Sequence, residues 1–368
     1  MTSSFHNSIF SSLLVCARPG WYNTIYNYEN EKKRRQAMKK ILMLTTGGTI
    51  ASGGGESGLR PQLCGDALLD AVPALRRDYD ITALDLLNLD SSNIQPEEWQ
   101  QIARASFRAL PDYDGVVITH GTDTMAYTAS MLSYMLRSIE KPVILTGSQM
   151  PVDKLLSDAP SNLTTAFAAA ASTLRGVGVA FDHRVIRGCR AVKVRTLGFD
   201  AFESVNTPPL AAVDADGFHI LPDSLTPPPA GSPELCDRLS TDVFLLKLIP
   251  GTDPDIFTRL AEHGTRGLVL ETFGAGGLHF MRRNLLPRLR ELTESGVSVA
   301  ACSQCLYETS DFSIYEVGRR LLDCGVIPGR DMTSEALVTK MMWALGQTGD
   351  PEEIRRIFDT NLAGEVSI

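Results

Sequence analysis

Apolar residues along this chain gather in short unbroken runs, and the stretches between them change to a helical period. The runs are "ILMLTT" at 41–46, "DGVVITHG" at 114–121, "KPVILTGS" at 141–148, "GVGVAF" at 176–181, "DVFLLKLIPG" at 242–251, "RGLVLETFG" at 266–274 and "GVSVAACSQ" at 296–304. Each is rich in Val, Ile or Leu and bounded by turn residues, the pattern of a strand buried on both faces of a parallel sheet. Between them, "PEEWQQIARASFRAL" opens on Pro96 and two glutamates and spaces Trp99, Ile102, Ala103, Ser106 and Leu110 along one helical face. The segment "DTMAYTASMLSYMLRSI" spaces its apolar residues in the same way. Strands and helices in alternation predict an α/β fold with right-handed crossovers.

A break in the pattern falls at "LPDSLTPPPAGSPE", 221–234, where five prolines exclude both helix and central strand. The chain of 368 residues also exceeds what one core usually holds. The expected organisation is therefore two α/β domains: a larger N-terminal doubly wound sheet over 38–220 and a smaller C-terminal parallel-sheet domain over 241–368, joined by a linker at 221–240. Residues 1–37 read differently. Their apolar run "SIFSSLLVCA" has no basic segment before it and is too short and polar to span a bilayer, while the basic cluster "EKKRRQAMKK" lies downstream. Met38 before "KKILML" reads as a natural domain start, so 1–37 are expected to be a disordered extension or a misassigned start.

Composition narrows the partners. A net charge of −8, with no basic stripe after residue 40, argues against nucleic acid or an anionic membrane and for a small-molecule substrate. The seven cysteines are scattered and odd in number, which fits a reducing, cytoplasmic setting rather than a disulfide framework. Cys302 and Cys305 have metal or redox spacing, but no second such pair accompanies them, and a buried strand end is the expected reading. No metal and no cofactor are expected.

In open α/β sheets ligands gather at the carboxyl ends of strands, so those ends are where chemistry is sought. One ends in Gly47, Gly48 and Thr49, another in Gly121, Thr122, Asp123 and Thr124, a third in Thr146, Gly147 and Ser148. Small residues there let backbone N–H groups approach a ligand while a hydroxyl points at it. A phosphate loop would need a lysine that "GGTIASGGGESG" lacks, and the dinucleotide pattern would need a helix where "LRPQL" follows. That glycine-rich run reads as a mobile loop. None of the six histidines stands in a zinc-hydrolase or serine-hydrolase context. His120, at a strand end, reads as a hydrogen-bonded turn residue before a general base. Threonine chemistry remains, and it needs a base or cation to make a poor nucleophile react.

The segments "TGGTI", "HGTDTMAYTAS", "KPVILTGSQMP" and "SDAPSNL" resemble the signatures of bacterial L-asparaginases, closer to the cytoplasmic type I branch than to the periplasmic type II branch, from Met38 to the C-terminus. The resemblance implies L-asparagine as substrate, with Thr49 as the nucleophile that attacks the side-chain amide to give a β-aspartyl enzyme and ammonia. It implies a second catalytic cluster of Thr122, Asp123 and a lysine, which "RGCRAVKVRTLGFDAFES" assigns to Lys193. A desolvated lysine beside a threonine and an aspartate can draw protons from a hydroxyl or water. Asp123 would also accept the substrate α-ammonium group. "LDSSN" resembles the substrate loop, so Asp90, Ser91 and Ser92 would hold the α-amino and α-carboxylate ends. A backbone N–H near Thr122 would serve the oxyanion. A homodimer or homotetramer, with sites completed across a subunit contact, is implied as well.

Two positions depart from the family pattern. The lid tyrosine that many relatives carry ten residues after the nucleophile is Leu59 here, and Tyr315 in "DFSIYEVGRR" is the candidate replacement. Where some type I relatives bind activating asparagine with an arginine and a threonine, this chain has Glu271 and Val192, which predicts weak or absent activation. Rival functions are a glutaminase or mixed amidase, a transamidation subunit, and an inactive amino-acid-binding module.

Overall fold

The computed structural model describes residues 38–55, 58–61, 64–222 and 231–367, without the side chains of 52–63. The expectations for 1–37, for the proline-rich 223–230 and for the Leu59 side chain lie outside the described residues.

The larger domain is an eight-stranded mixed sheet. In chain order its strands are β1 (Lys40–Gly47), β2 (Asp80–Leu89), β3 (Gly115–Thr119), β4 (Pro142–Thr146), β5 (Gly176–Phe181), β6 (Arg184–Arg187), β7 (Ala211–Asp214) and β8 (Gly217–Ile220). Their order across the sheet is β8-β7-β6-β5-β4-β3-β1-β2. The contiguous apolar runs at 41–46, 114–121, 141–148 and 176–181 become four adjacent parallel strands, β1, β3, β4 and β5. β2 adds a parallel edge, and β6 to β8 continue the other side antiparallel.

Successive residues of the central strands feed two different cores, because side chains alternate across a strand. Leu42 and Leu44, Val116 and Ile118, Val143 and Leu145 pack on one face. Ile41 and Met43, Val117 and Ile144 pack on the other. Helices α1 (Gly65–Asp70), α2 (Pro73–Asp78) and α5 (Ala159–Ala170) cover the second face, and α3 (Pro96–Ala109) and α4 (Met125–Met135) the first. The sheet is thus doubly wound. α3 starts as its sequence asks: Pro96 occupies the first turn, and Glu98 Oε2 accepts the Gln95 N–H at 2.8 Å in a capping box.

The smaller domain is a four-stranded parallel sheet, β9 (Val243–Lys247), β10 (Gly267–Thr272), β11 (Ser298–Ser303) and β12 (Ile327–Pro328), in that order. β9 forms its edge and leaves Phe244 45% exposed, so this one run is not buried on both faces as its composition suggested. Helices α6 (Asp255–Glu262), α7 (Leu286–Glu294) and α8 (Glu316–Asp323) pack one face; α9 (Ser334–Gln347) and α10 (Pro351–Asp359) pack the other. α9 lies against α4, so one apolar core runs from the first face of the large sheet into the small domain. That sandwich explains why every residue of α4 except Tyr127 is buried, although its spacing reads as a one-faced helix. No helix among the described residues is long and apolar enough to cross a membrane.

Candidate active site

The parallel strands bring their carboxyl ends to one edge, and the motifs meet there backbone to backbone. Gly47 and Gly48 take φ values of 103° and 83°, a region open to glycine and strained for other residues. A Cβ on Gly47 would run into the Leu89 carbonyl, and one on Gly48 into the backbone of Gly121. The glycine pair is therefore the condition for seating the first motif between β2 and the second motif. Thr49 follows at the start of a single 3-10 turn, Thr49–Ala51, in which Ile50 and Ala51 are buried. Thr49 itself is half-buried, and its hydroxyl has no hydrogen-bond partner among the described residues.

The second motif leaves β3 through His120, whose N–H reaches the Thr146 carbonyl at 2.8 Å. Thr122 is buried and Asp123 exposed. Lys193 Nζ donates to Thr122 Oγ1 at 2.7 Å and to Asp123 Oδ1 at 2.6 Å. Thr122 in turn donates to Gln149 Oε1 at 3.2 Å, and the Gln149 amide nitrogen donates to the carbonyls of Thr196 and Gly198 at 3.1 and 3.2 Å. Lys193, Thr122 and Gln149 form one chain of polarised bonds. The backbone at 149–150 is held by Asp158, whose carboxylate accepts the N–H groups of Gln149 and Met150 and the amide of Asn162.

The "LDSSN" segment is a 3-10 turn, Ser91–Asn93, capped by Asp90. Asp90 and Ser92 are exposed, and the Ser92 hydroxyl and N–H hold the Asp90 carboxyl below its ordinary range, so it is ionised at neutral pH. Ser91 is buried instead. Its hydroxyl accepts the Asp123 N–H at 3.2 Å and its carbonyl accepts the Thr124 hydroxyl at 2.7 Å, which locks this turn to the second motif. Two carboxylates, Asp90 and Asp123, thus stand exposed on turns joined through Ser91 and suit a cationic group.

Residues 40–225 match the family domain described as Asparaginase, N-terminal, and residues 242–358 match the Glutaminase/Asparaginase C-terminal domain. The chain belongs to the asparaginase family. It is 46% identical over 320 residues to an L-asparaginase of Thermococcus kodakarensis, covering 87% of this chain and 96% of that protein. The solved structure of the thermostable L-asparaginase from that organism superposes with a TM-score of 0.85 at 45% identity, over 89% of this chain and 99% of that one. L-asparaginase 1 of Escherichia coli K12 is 39% identical over 282 residues, 76% of this chain and 82% of that one. The D subunit of a glutamyl-tRNA(Gln) amidotransferase from T. kodakarensis is also 39% identical, over 82% of this chain and 70% of its own length.

In this asparaginase-family chain the structure brings together Thr122, Asp123 and Lys193 by direct bonds, and Ser91 with Asp90 and Ser92 on the adjoining turn. Thr49 stands next to them through the contact of Gly48 with Gly121. It does not bring Tyr315 into the cluster within one chain: Tyr315 caps α8 in the small domain, is 60% exposed and makes no hydrogen bond to those residues. Cys302 is buried on β11, where burial pushes its thiol up to about 12, and Cys305 lies beyond the strand, exposed. Nothing local in "TGSQMP" marks Gln149 for the site, because the loop its amide nitrogen holds lies nearly fifty residues further on.

His120 is fully buried, and burial lowers it to about 4. Its Nδ1 bonds the Gly121 carbonyl at 2.7 Å, and its Nε2 bonds Thr128 Oγ1 at 3.0 Å. Because Thr128 already accepts the Trp99 indole N–H at 2.9 Å, its own proton goes to Nε2, which assigns a neutral ring protonated on Nδ1. A base whose folded-state value lies below its unfolded value of 6.5 stabilises the fold fully above 6.5, and that contribution is lost as pH falls through about 4. We expect wild type to lose about 3 kcal/mol more than His120→Gln between pH 7.5 and 4 in urea unfolding. Parallel pH dependences for the two proteins would refute the assignment.

Proposed function

We propose that this chain is an L-asparagine amidohydrolase that works through a threonine nucleophile and a β-aspartyl-enzyme intermediate. The observation that carries the reading is the pair of bonds from Lys193 to Thr122 and Asp123, set beside a Thr49 hydroxyl that has no partner among the described residues. Asp90 and Asp123 receive the substrate ammonium, and the small exposed Ser92 faces the carboxylate end. Thr49 Oγ adds to the side-chain amide carbon; its proton passes through solvent to Lys193 Nζ as Nζ hands one of its own to Asp123 Oδ1, 2.6 Å away. The Thr122 N–H, which has no partner among the described residues, donates to the developing oxyanion. The C–N bond then breaks, ammonia leaves with a proton returned by the relay, and water activated by the same cluster hydrolyses the ester to aspartate.

The test is ammonia release from asparagine and from glutamine, side by side. We expect asparagine to be much the better substrate; equal rates would make the chain a mixed amidase, since one methylene shifts binding by only about 1–3 kcal/mol. No turnover of either amide would favour an amino-acid-binding module. The relatedness to the amidotransferase subunit is covered by the same assay, because glutamine is then the preferred amide.

Tyr315 is proposed as the activating hydroxyl, delivered to the nucleophile of a second copy in a homodimer or homotetramer. Its exposure, with that of Ile314 and Leu197 at 60% and 87%, fits a face that another copy covers. Tyr315→Phe is expected to lower kcat more than about twofold; a smaller change sinks this role. The Glu271 carboxylate accepts the Ser334 hydroxyl at 2.6 Å and faces Lys247 at 3.4 Å, while Val192 is 7% exposed. A substrate carboxylate would meet like charge there, so the rate against asparagine concentration should be hyperbolic, and a sigmoid curve overturns this. A cytoplasmic location is proposed on the thiols, all six of which are free among the described residues.

A further inference from the structure

The hairpin that carries Lys193 is fastened by the other domain. Lys193 ends a three-residue strand, Ala191–Lys193, paired antiparallel with Phe202–Ser204 so that Ala191 faces Ser204 and Lys193 faces Phe202. Gln149 holds the loop at the hairpin tip. At its base, the residue before the first strand is Arg190 and the residue two beyond the second is Asn206, closed on each other by the Val205 N–H to the Arg190 carbonyl at 2.9 Å. Both reach the same residue of the small domain, Asp331, in the turn between β12 and α9. Arg190 Nη1 donates to the Asp331 carbonyl at 2.9 Å and to its Oδ2 at 3.0 Å; Asn206 Nδ2 donates to that carbonyl at 3.0 Å.

The Arg190–Asp331 centre of the clasp is buried. Arg190 is 0% exposed and Asp331 4%. The C-terminal tail completes it: Arg190 Nε donates to the Gly364 carbonyl at 2.9 Å, and the Ser367 N–H and hydroxyl donate to the Asp331 carboxylate. Asn206 takes a φ of 59°, which asparagine tolerates better than most residues, and its Oδ1 accepts the N–H of Glu308 at 2.8 Å. A two-stranded hairpin of three-residue strands is marginal alone, so its direction depends on such anchors. Lys193 lies about 10 Å along an extended chain from Arg190, so a small rotation at the base becomes a displacement of order 1 Å at Nζ, enough to spoil a catalytic geometry.

We propose that Asp331 and Asn206 are positioning residues for Lys193, through which the small domain aims the Lys193 ammonium at Thr122 and Asp123. The proposal rests on the catalytic role given to Lys193 above. Its test is a double-mutant cycle in the full chain between Asn206→Gly, which removes the amide while keeping a positive φ accessible, and Lys193→Met. Asn206→Asp is the companion variant: it keeps the Glu308 bond and cannot donate to Asp331. The expected result is a tenfold or greater fall in kcat for both Asn206 variants, KM for asparagine within about threefold, and no further fall when either is added to Lys193→Met. A smaller fall in the folded variants, or the same fold-loss in both backgrounds as a general loosening would give, overturns the proposal. Should Lys193→Met alone keep wild-type kcat, the reading of the lysine has failed at that step, separately visible, and the proposal falls with it.

Discussion

Thr49→Ala is expected to lower asparagine turnover at least about 10⁴-fold while leaving the fold intact. The hydroxyl it removes makes no bond to any described residue, and Thr49 is only half-buried, so little stability depends on it. Its neighbours in the 3-10 turn, Ile50 and Ala51, supply the burial that holds the turn in place. The chemistry, in contrast, has no substitute at that point, because Thr122 Oγ1 is already engaged by Lys193 and Gln149. Thr49→Ser, which restores an oxygen, should recover a measurable fraction of the rate. Ammonia release at saturating asparagine, with thermal unfolding of each variant as the control, checks this. A Thr49→Ala enzyme retaining more than about 1% of wild-type kcat would remove Thr49 from the nucleophile role and leave Thr122 as the next hydroxyl to test.

Lys193→Met comes second, with an expected fall of about 10³-fold in kcat, inside the range general acid–base groups contribute. Methionine keeps the stem and deletes the ammonium, which ends a side chain 16% exposed and donates at 2.7 and 2.6 Å to the two motif residues. Loss of that charge leaves the buried Thr122 hydroxyl without its donor and Asp123 without its counter-ion. Because Asp123 is free to meet the substrate ammonium in its place, KM should change less than kcat. Steady-state kinetics on both parameters separate the cases: a rise in KM with kcat unchanged would make Lys193 a binding residue and refute its part in proton transfer.

How much of this was visible along the chain depended on the range of the forces involved. The four runs that build β1, β3, β4 and β5 are continuous because both faces are buried, and that demand shows locally. β2 was not announced in the same way: as an edge strand it leaves Leu84 47% exposed, and its mixed pattern gives no clear period. β6 to β8 are short and lie toward the other edge, where hydrophobic demand is weak. α4 misled in the opposite direction, since only the small domain packed over it made its second face apolar territory.

The sequence by itself determined the glycine pair before Thr49, the hydroxyl and carboxylate at Thr122 and Asp123, and the alternation that places both at strand ends. Those depend on backbone conformations open only to certain residues and on a period of two, which are properties of neighbours in the chain. Only the tertiary structure decided that Lys193 reaches Thr122 across 71 positions, that Gln149 completes their chain of bonds, that buried Ser91 braces a turn while Asp90 and Ser92 face outward, and that Asp331 of the small domain clasps the Lys193 hairpin on both sides of its base. A hydrogen bond between remote residues leaves no local signature in either, because its existence depends on where packing of the two apolar cores sets their backbones.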